Sequence, residues 1–176
     1  MPAVSDAGPL IHLAQIRKLE LLEKIFVKIT LVPSVKYETV DEGIRLGFAD
    51  AVLVEEAIRA GWMIVKKPGI TTLRQSKRLA DNENVSQSDA QTLLLAKSLQ
   101  QPLMTDEKNL TKLGTMYGLK VWNTWTVLLE ALRKGLIRKH DIEMAISELA
   151  NKRHKLSTEQ AREISEAADR VASSKP

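Results

Sequence analysis

The sequence predicts an α/β fold in which a five-stranded parallel sheet lies between two layers of helices, a three-layer α/β/α arrangement. Short apolar runs alternate along the chain with longer stretches of helical periodicity, the pattern of successive strand–helix units. Gly61 and Gly118 each end a helical stretch just before an apolar run, as C-terminal cap glycines do. Right-handed crossovers then place every strand-to-helix turn at the same edge of the sheet.

The five predicted strands are short, and helices are predicted between them. Strands are expected near residues 2–6, 28–32, 62–66, 102–105 and 119–122. Helices are expected near residues 9–25, 34–40, 47–60, 71–81, 87–100 and 107–117. The first helical pattern permits a break in register near Gln15, and Pro33 suits the first turn of the second helix.

After Trp122 the pattern becomes purely helical. Two helices are expected near 124–134 and 137–151, and a third opens at the S-x-x-Q capping box from Ser157 to Gln160.

This pattern divides the chain into an α/β domain at residues 1–135 and a helical C-terminal extension at residues 136–176. The extension is too short for a core of its own, so we expect it to pack on the α/β body or on another subunit. Fraying is expected over residues 173–176.

The composition is that of a globular protein of 176 residues, with 44% apolar and 27% charged residues. The absence of cysteine excludes a disulfide framework, a thiolate metal site and a cysteine nucleophile. No apolar run reaches the length of a membrane span and no signal-peptide pattern opens the chain, so we expect a cytoplasmic protein with no membrane partner. The net charge of +4 permits a polyanionic partner without requiring one.

Four carboxylates stand where predicted strands end or where a helix opens. Asp6 and Asp106 close the first and fourth apolar runs, Glu38 follows the second, and Asp89 opens the helix near 87–100. The carboxyl ends of parallel strands meet at one edge of a sheet, where ligands bind. Four acids at that edge form an oxygen-rich anionic site suited to Mg²⁺ or Mn²⁺.

Each acid also has a simpler interpretation as a helix cap or a solvated side chain. Asp6 and Asp106 could cap the helices that follow them, and Asp89 stands three residues after Ser86, as in a capping box. The cap interpretation is favoured for any one acid, whereas the four together favour a site, because caps do not explain the shared edge or Glu38.

A metal-free cluster of four carboxylates should raise their pKa values by mutual repulsion. We therefore expect Asp106→Asn and Asp89→Asn to melt higher than the wild type in the absence of metal. Caps alone would give no such gain, because asparagine caps a helix nearly as well as aspartate.

Other polar residues give weaker signals. His12 lies on an apolar helix and is interpreted as a core or boundary residue rather than a metal ligand, while His140 and His154 lack zinc spacing. Two cationic sets could line a groove for RNA, although most such runs are only solvated. They are Lys66, Lys67, Arg74, Lys77 and Arg78, and Arg133, Lys134, Arg138 and Lys139.

Five segments carry recognisable motifs in order along the chain. They are Val4–Ala14, the segment Val32–Glu38, which reads P-x-V-x-x-E from Pro33, the S-x-x-D-A helix start Val85–Ala90, the "TD" strand end Leu103–Asp106, and Gly118–Thr124. Together they resemble the PIN domain family, most closely its VapC-like toxin ribonucleases with an extended C-terminus. Residues 66–88 form a longer and more polar stretch than the family pattern, and residues 137–176 lie outside it.

The resemblance implies a divalent-metal-dependent endoribonuclease using Mg²⁺ or Mn²⁺. Asp6 and Asp106 would be the central metal ligands, and Asp89 and Glu38 would complete the shell directly or through water. Thr105 and Asn123 are candidates to orient ligands or bind phosphate, although a local turn or backbone hydrogen bond is the favoured role for both. The resemblance also implies an RNA substrate, a cognate antitoxin partner and a homodimer.

Three other functions stay open at this point. A non-catalytic PIN-like module for RNA binding or assembly would be favoured by the loss of one acid, and none is missing. A DNA-directed nuclease of related architecture cannot be separated from a ribonuclease by sequence. A phosphoacceptor receiver domain needs an aspartate after its central strand, and the strand near 62–66 instead ends in lysines.

Overall fold

Strand β1, Ala3–Ser5, is the centre of a five-stranded parallel sheet in the computed structural model, which describes residues 1–152 and 156–173. The other strands are β2 (Ile29–Leu31), β3 (Met63–Val65), β4 (Leu103–Met104) and β5 (Val121–Trp122). Their order across the sheet is β3-β2-β1-β4-β5, and every pair is parallel. The predicted α/β fold with five parallel strands is therefore confirmed.

Helices connect the strands and complete the C-terminal part of the chain. Those before β4 are α1 (Ala7–Gln15), α2 (Leu21–Phe26), α3 (Pro33–Lys36), α4 (Gly43–Arg45), α5 (Ala49–Arg59), α6 (Ile70–Glu83) and α7 (Gln87–Leu99). Those after β4 are α8 (Lys108–Met116), α9 (Thr124–Arg133), α10 (Lys139–Asn151) and α11 (Thr158–Ser173).

The order of the strands reverses direction at β1. From β1 the chain moves outward to β2 and β3, and it then crosses back to lay β4 on the other side of β1. Val4 faces Thr30 of β2 and Leu103 of β4, and the backbone N–H of Asp6 donates to the carbonyl oxygen of Met104 at 3.0 Å. The carboxyl ends of β1 and β4 thus lie side by side at a topological switch point, the usual ligand position in open α/β sheets.

The long helix predicted near 9–25 is two helices. α1 ends at Gln15, near the expected break, and Arg17 takes a left-handed backbone conformation with φ 52° before α2 begins at Leu21.

The helical stretch predicted near 34–40 is helical, and part of it is a π-helix. After α3 the chain widens into a π-helical segment at Tyr37–Glu42. Within it the hydroxyl of Thr39 donates to the carbonyl oxygen of Val35 at 2.8 Å, and such bonds to residue i−4 compete with the regular backbone ladder.

The C-terminal helices share the apolar core with the α/β body. Ile142, Ala145 and Leu149 of α10 and Ala168 of α11 are buried in the same apolar cluster as the strands, and both helices contact α9. The Ser157–Gln160 capping box is confirmed, because each backbone N–H bonds the other's side chain. The division into a domain at 1–135 and an extension at 136–176 stays a prediction.

Two expectations fall on residues outside the described ranges. His154 lies between the two described ranges, and Ser174, Lys175 and Pro176 of the predicted frayed end follow the second. Among the helices of the described residues, none is long and apolar enough to cross a membrane.

We predict that Leu149→Ala lowers the free energy of unfolding by about 2–5 kcal/mol, because it leaves a cavity in a core that α10 shares with the α/β body. Urea unfolding should give one cooperative transition at a lower midpoint. Met144→Ala, on the exposed side of the same helix, is the control and should change stability much less. A separate early transition confined to the C-terminal helices would contradict the shared core.

Candidate active site

Asp6 caps α1 from the end of the central strand, and its carboxyl group is buried. One carboxylate oxygen accepts the backbone N–H of Gly8 at 3.1 Å, and the other accepts the hydroxyl of Thr105. Burial raises the pKa of Asp6 well above its usual value, and the charges of Asp106 and Asp89 add to it, while the bonds from Thr105 and Gly8 oppose the rise without cancelling it.

Asp106 lies beside Asp6 in the opposite electrostatic situation. His12 Nδ1 lies 2.6 Å from its Oδ2, the hydroxyl of Thr124 donates to the same oxygen at 2.6 Å, and the backbone N–H of Thr124 donates to Oδ1 at 2.9 Å. Burial by itself would raise the pKa of Asp106. The hydrogen bonds from His12 and Thr124 outweigh that effect, so the pKa lies below its ordinary value.

Gly8 faces the space between these two carboxylates. A Cβ atom at this position would lie 3.6 Å from Oδ1 of Asp6 and 3.6 Å from Oδ2 of Asp106. The two oxygens are therefore no farther apart than the sum of those distances, and no side chain of residue 8 lies between them.

Asp89 and Glu38 approach from two helical segments held together by serines. Asp89 is in the first turn of α7, where its Oδ2 accepts the backbone N–H of Ser86 at 3.3 Å and its own N–H bonds Ser86 Oγ at 3.0 Å. The hydroxyls of Ser34 and Ser88 bond at 2.8 Å, which joins α3 to the start of α7.

Glu38 lies in the π-helical segment and is exposed as a residue, whereas its carboxyl group is partly withdrawn from water. This partial burial raises the pKa of Glu38, and the charges of Asp89 and Glu42 add to the rise. π-Helical turns occur frequently at functional sites. Glu38 and Asp6 both interact electrostatically with Asp89, and Asp6 also interacts with Asp106. We call these four acids the acidic cluster.

Among the described residues, these acids form few direct contacts with basic side chains. Within residues 1–152 and 156–173, Asp6, Glu38 and Asp89 form no ion pair with a basic side chain, and Asp106 is paired with His12 alone. A set of carboxylate oxygens without a cation is the donor set that a hard divalent ion prefers, so the residues fit Mg²⁺ or Mn²⁺.

The same described residues contain no group of three His, Asp or Glu side chains arranged to hold an ion together. Two of the acids use carboxylate oxygens on the protein's own donors. Asp106 is turned toward His12 and Thr124, and Asp89 closes a helix cap.

Of the two supporting residues, Thr105 contacts Asp6 and Asn123 takes a local role. Thr105 is fully buried, its hydroxyl donates to Asp6, and it accepts the backbone N–H of Glu107 at 3.0 Å, so it orients a candidate ligand. Asn123 Oδ1 accepts the N–H of Thr126 at 2.8 Å in a capping box that opens α9. The side-chain oxygen of Asn123 is therefore engaged in a helix cap.

Two expectations for Asp106 are wrong: its role as a helix cap and the direction of its pKa shift. The N-cap position of α8 is occupied by Glu107, not Asp106, which instead holds the start of α9 through Thr124. Repulsion was expected to raise the carboxyl pKa values, and it does so for Asp6 and Glu38, whereas the donors around Asp106 lower its pKa. The expectation that Asp106→Asn melts higher than the wild type is withdrawn for that reason.

His12 and Thr124 were not recognised as site residues from the sequence. His12 was interpreted as a core or boundary residue, and its side chain is indeed largely buried, but it contacts Asp106, 94 positions away. Spacing along the chain gives no sign of such a contact. Thr124 follows the motif residue Asn123, and only the position of α9 reveals that both its N–H and its hydroxyl reach Asp106.

A cavity of about 600 Å³ lies elsewhere in the molecule. It is lined in part by Leu53, by Trp62, which precedes β3, and by Arg17, which follows α1, and none of the four acids borders it. The acidic cluster is therefore distinct from this cavity.

Comparison with known proteins agrees with the fold. The sequence pattern of the PIN domain matches residues 2–170, nearly the whole chain. The crystal structure of PAE2754 from Pyrobaculum aerophilum is similar, with a TM-score of 0.53 and 20% identity, covering 74% of this chain and 97% of that one. No curated protein is similar enough to count as a match.

These comparisons also bear on two of the earlier interpretations. The likeness to PAE2754 concerns the fold alone, and neither comparison names the VapC-like branch, which stays a prediction. The match to the PIN domain decides against a receiver domain. The strand argument used against that domain was wrong in its geometry, since β3 is an edge strand and the central strand β1 is followed by Asp6.

We predict that Asp6→Asn melts higher than the wild type in EDTA at pH 7, whereas Asp106→Asn melts lower. The raised pKa of Asp6 means that its ionised form costs stability at neutral pH, and the cost fades as pH falls through the raised value. The lowered pKa of Asp106 means that its ionised form contributes stability, which is lost only as pH falls through the lowered value.

Thermal melts of the three proteins from pH 7 down to pH 4 test these opposite signs. The advantage of Asp6→Asn should shrink as the solution becomes more acidic. Equal shifts of the same sign in both variants at pH 7 would contradict the assignment of two different environments.

We also predict that His12→Ala lowers the free energy of unfolding by about 1–3 kcal/mol, because it leaves a buried carboxylate without one of its donors. The pKa of Asp106, followed by carboxyl-carbon NMR, should rise in the same variant. His12→Asn can place an amide N–H near the original Nδ1 position and should restore part of both quantities. An unchanged Asp106 titration in His12→Ala would show that the contact is weak in solution.

Proposed function

The chain belongs to the PIN domain family, whose members are typically nucleases, and from that premise we propose that it is a divalent-metal-dependent endoribonuclease that hydrolyses RNA phosphodiester bonds. PIN domain nucleases generally use divalent metals. We propose Mg²⁺ or Mn²⁺ as the ion, and Asp6, Asp106, Asp89 and Glu38 as the residues that hold it.

The buried carboxyl group of Asp6 is the observation that carries this proposal. It stands at the switch point of the sheet, it is coupled to Asp106 and Asp89, and no basic side chain of the described residues pairs with it. Burying an acid in this way costs stability unless a cation compensates for it. A site whose charge is left unbalanced by its own chain is suited to a bound divalent ion and, through the ion, to a phosphate.

When bound, a divalent ion would activate water and neutralise charge on the phosphorus centre during hydrolysis. The chain's own residues prepare the position of the ligands. Thr105 and the N–H of Gly8 hold the two oxygens of Asp6, and His12 and Thr124 fix the carboxylate of Asp106. Such partners restrict the rotation of the ligands, and losing them typically costs metal affinity or activity.

The edge of the sheet keeps these groups apart from bulk water. Asp6 and Thr105 are both buried, and Gly8 leaves the approach to Asp6 and Asp106 clear of a side chain. Glu38 and Asp89 are more accessible, so the phosphate of a substrate would approach from their side of the cluster.

The finer identity of the protein is also part of the proposal. The order of the four acids and the motifs around them resemble VapC-like toxins, so we propose that the chain is the toxin of a toxin–antitoxin pair that acts in the cytoplasm. A small DNA-binding protein encoded next to it would be the expected antitoxin. Growth arrest on expression of the wild type, relieved in Asp6→Asn, would support the toxin role.

We predict that the purified protein cleaves RNA in Mg²⁺ or Mn²⁺, that EDTA stops the cleavage, and that Asp6→Asn reduces it to the level without protein. Removing Asp6 takes away a proposed central ligand. The control is Asp81→Asn, which removes one exposed carboxylate from α6 and should cleave as well as the wild type.

Metal binding is measured separately by the thermal shift on adding Mn²⁺ to the EDTA-treated protein, since ligands that bind the folded state stabilise it. The wild type and Asp81→Asn should shift upward, and Asp6→Asn should not. RNA cleavage that persists in excess EDTA would contradict the metal mechanism. Metal-dependent cleavage of single-stranded DNA with RNA left intact would assign the site to a DNA-directed nuclease instead, and metal binding without any cleavage would assign it to a non-catalytic module.

A further inference from the structure

Five exposed cations stand on one side of the acidic cluster. Lys66 and Lys67 follow β3 at the carboxyl edge of the sheet, and Arg74, Lys77 and Arg78 lie on α6. None of the five forms an ion pair within the part of the chain that the structure describes. We call this set the α6 basic face.

The backbone fixes the first two cations at the same edge as the acids. The N–H of Lys66 donates to the carbonyl oxygen of Leu31 at 2.8 Å, so the ladder between β2 and β3 continues to the point where β2 gives way to α3. The π-helical segment with Glu38 follows α3 directly. Lys66 and Lys67 therefore emerge from the sheet on the side from which Glu38 approaches the cluster.

Side-chain packing fixes the three cations of α6. Ser76 is fully buried, and its hydroxyl accepts the side-chain amide N–H of Gln87 at 2.9 Å. Gln87 is the first residue of α7 and stands two positions before Asp89. The middle of α6 is thus set against the turn of α7 that carries Asp89, with Ser76 and Leu79 facing inward.

The cations lie on the other side of α6 and run along it. Arg74 and Arg78 are four residues apart, about 6 Å along the helix axis, and Lys77 stands beside them. Asp81 and Glu83, the acids of this helix, come after the cations in its last turns.

Two of the four cations of the second set, Arg133 and Lys139, are held in ion pairs among the described residues. Arg133 bonds both carboxylate oxygens of Glu130 at 2.7 Å, and Lys139 pairs with Asp169 and Glu143. Cations already held by carboxylates have less to gain from phosphate. The α6 basic face is consequently the better of the two candidates for a polyanion.

We propose that the α6 basic face binds the phosphate backbone of single-stranded RNA and directs it to the acidic cluster. This inference rests on the proposed nuclease function and names the part of the chain that selects a polymeric substrate. Ile70 and Leu73 are also exposed at the start of α6 and would suit a protein partner. These five cations form no ion pair with any described residue, and the acids near them are suited to phosphate chemistry, which favours the nucleic acid.

The test compares RNA binding by two charge-matched triple variants in an Asp6→Asn background, in which cleavage does not interfere. The first carries Arg74→Gln, Lys77→Gln and Arg78→Gln, and glutamine keeps the helix propensity of α6. The control carries Lys24→Gln, Lys28→Gln and Arg59→Gln. It loses the same charge from exposed positions, and Lys28 and Arg59 precede β2 and β3 at the opposite edge of the sheet.

Fluorescence anisotropy with a short, labelled single-stranded RNA gives the affinity as a function of salt. The α6 variant should bind roughly ten- to a hundredfold more weakly, and the slope of log affinity against log salt should flatten by about 2 if each lost cation had met a phosphate. The control variant should keep the affinity and the slope of its parent. In the active background, the α6 variant should raise KM for long RNA while leaving the cleavage of an RNA dinucleotide unchanged.

Each other outcome has a defined meaning. Unchanged affinity and slope in the α6 variant would overturn this inference and leave the nuclease proposal standing, because cleavage by the wild type is measured independently. An equal loss of RNA affinity in both triple variants would show that only net charge matters, and it would also overturn this inference. Equal competition by poly-L-glutamate and RNA would assign the face to an acidic protein, and absence of RNA binding and cleavage in the wild type would remove both proposals.

Discussion

The burial of the Asp6 carboxyl group at the end of the central strand is the constraint on which the rest of the site depends. β1 is covered on both faces and paired on both sides, so the residue that follows it begins α1 with its side chain out of water. Burial destabilises the ionised carboxyl group, and hydrogen bonds from Thr105 and from the N–H of Gly8 offset part of this cost. Parallel pairing of β1 with β4 then delivers Asp106 to the same place.

Asp6 and Asp106 lie in different electrostatic environments. Asp106 is satisfied within the protein, since His12 and Thr124 hold it and lower its pKa. Asp6 has a raised pKa and forms no ion pair with any basic side chain that the structure describes. The pKa values of these two adjacent carboxylates are thus shifted in opposite directions. The Asp106 anion is stabilised by the protein, whereas the Asp6 anion would be stabilised by a bound cation. In a metal nuclease, the first would define geometry and the second would supply the drive for binding.

The fold could be predicted from the sequence because its signals are local. Apolar runs, cap glycines such as Gly61 and Gly118, and the capping box at Ser157 depend only on neighbouring residues, and all three kinds of signal were correct. Asp6 and Asp106 could be placed at one edge because parallel topology makes that edge common to the strands that they follow. The place of Glu38 and Asp89 in the site stays a prediction. The strand order that sets Asp6 beside Asp106 depends on packing over a hundred positions.

The features missed are those that require side chains distant in sequence to meet. The contact between His12 and Asp106 cannot be read from periodicity, because an apolar helix with one histidine also describes a buried structural residue. The lowered pKa of Asp106 follows from that contact and from Thr124, so the direction of the pKa shift could not be predicted from the sequence either. The π-helical segment around Glu38 differs from a regular helix by a change in hydrogen bonding that composition does not specify.

Thr124 gives the C-terminal helices a mechanical connection to the site. It is the first residue of α9, its N–H and hydroxyl both hold Asp106, and α9 is the helix on which α10 and α11 pack. Rotation or displacement of α9 would move two of the donors that keep Asp106 in place. A molecule bound to the outer surface of α10 or α11 would therefore alter the candidate site through α9 without contacting the carboxylates. The C-terminal helices thus cover the core and are connected to the candidate site through α9.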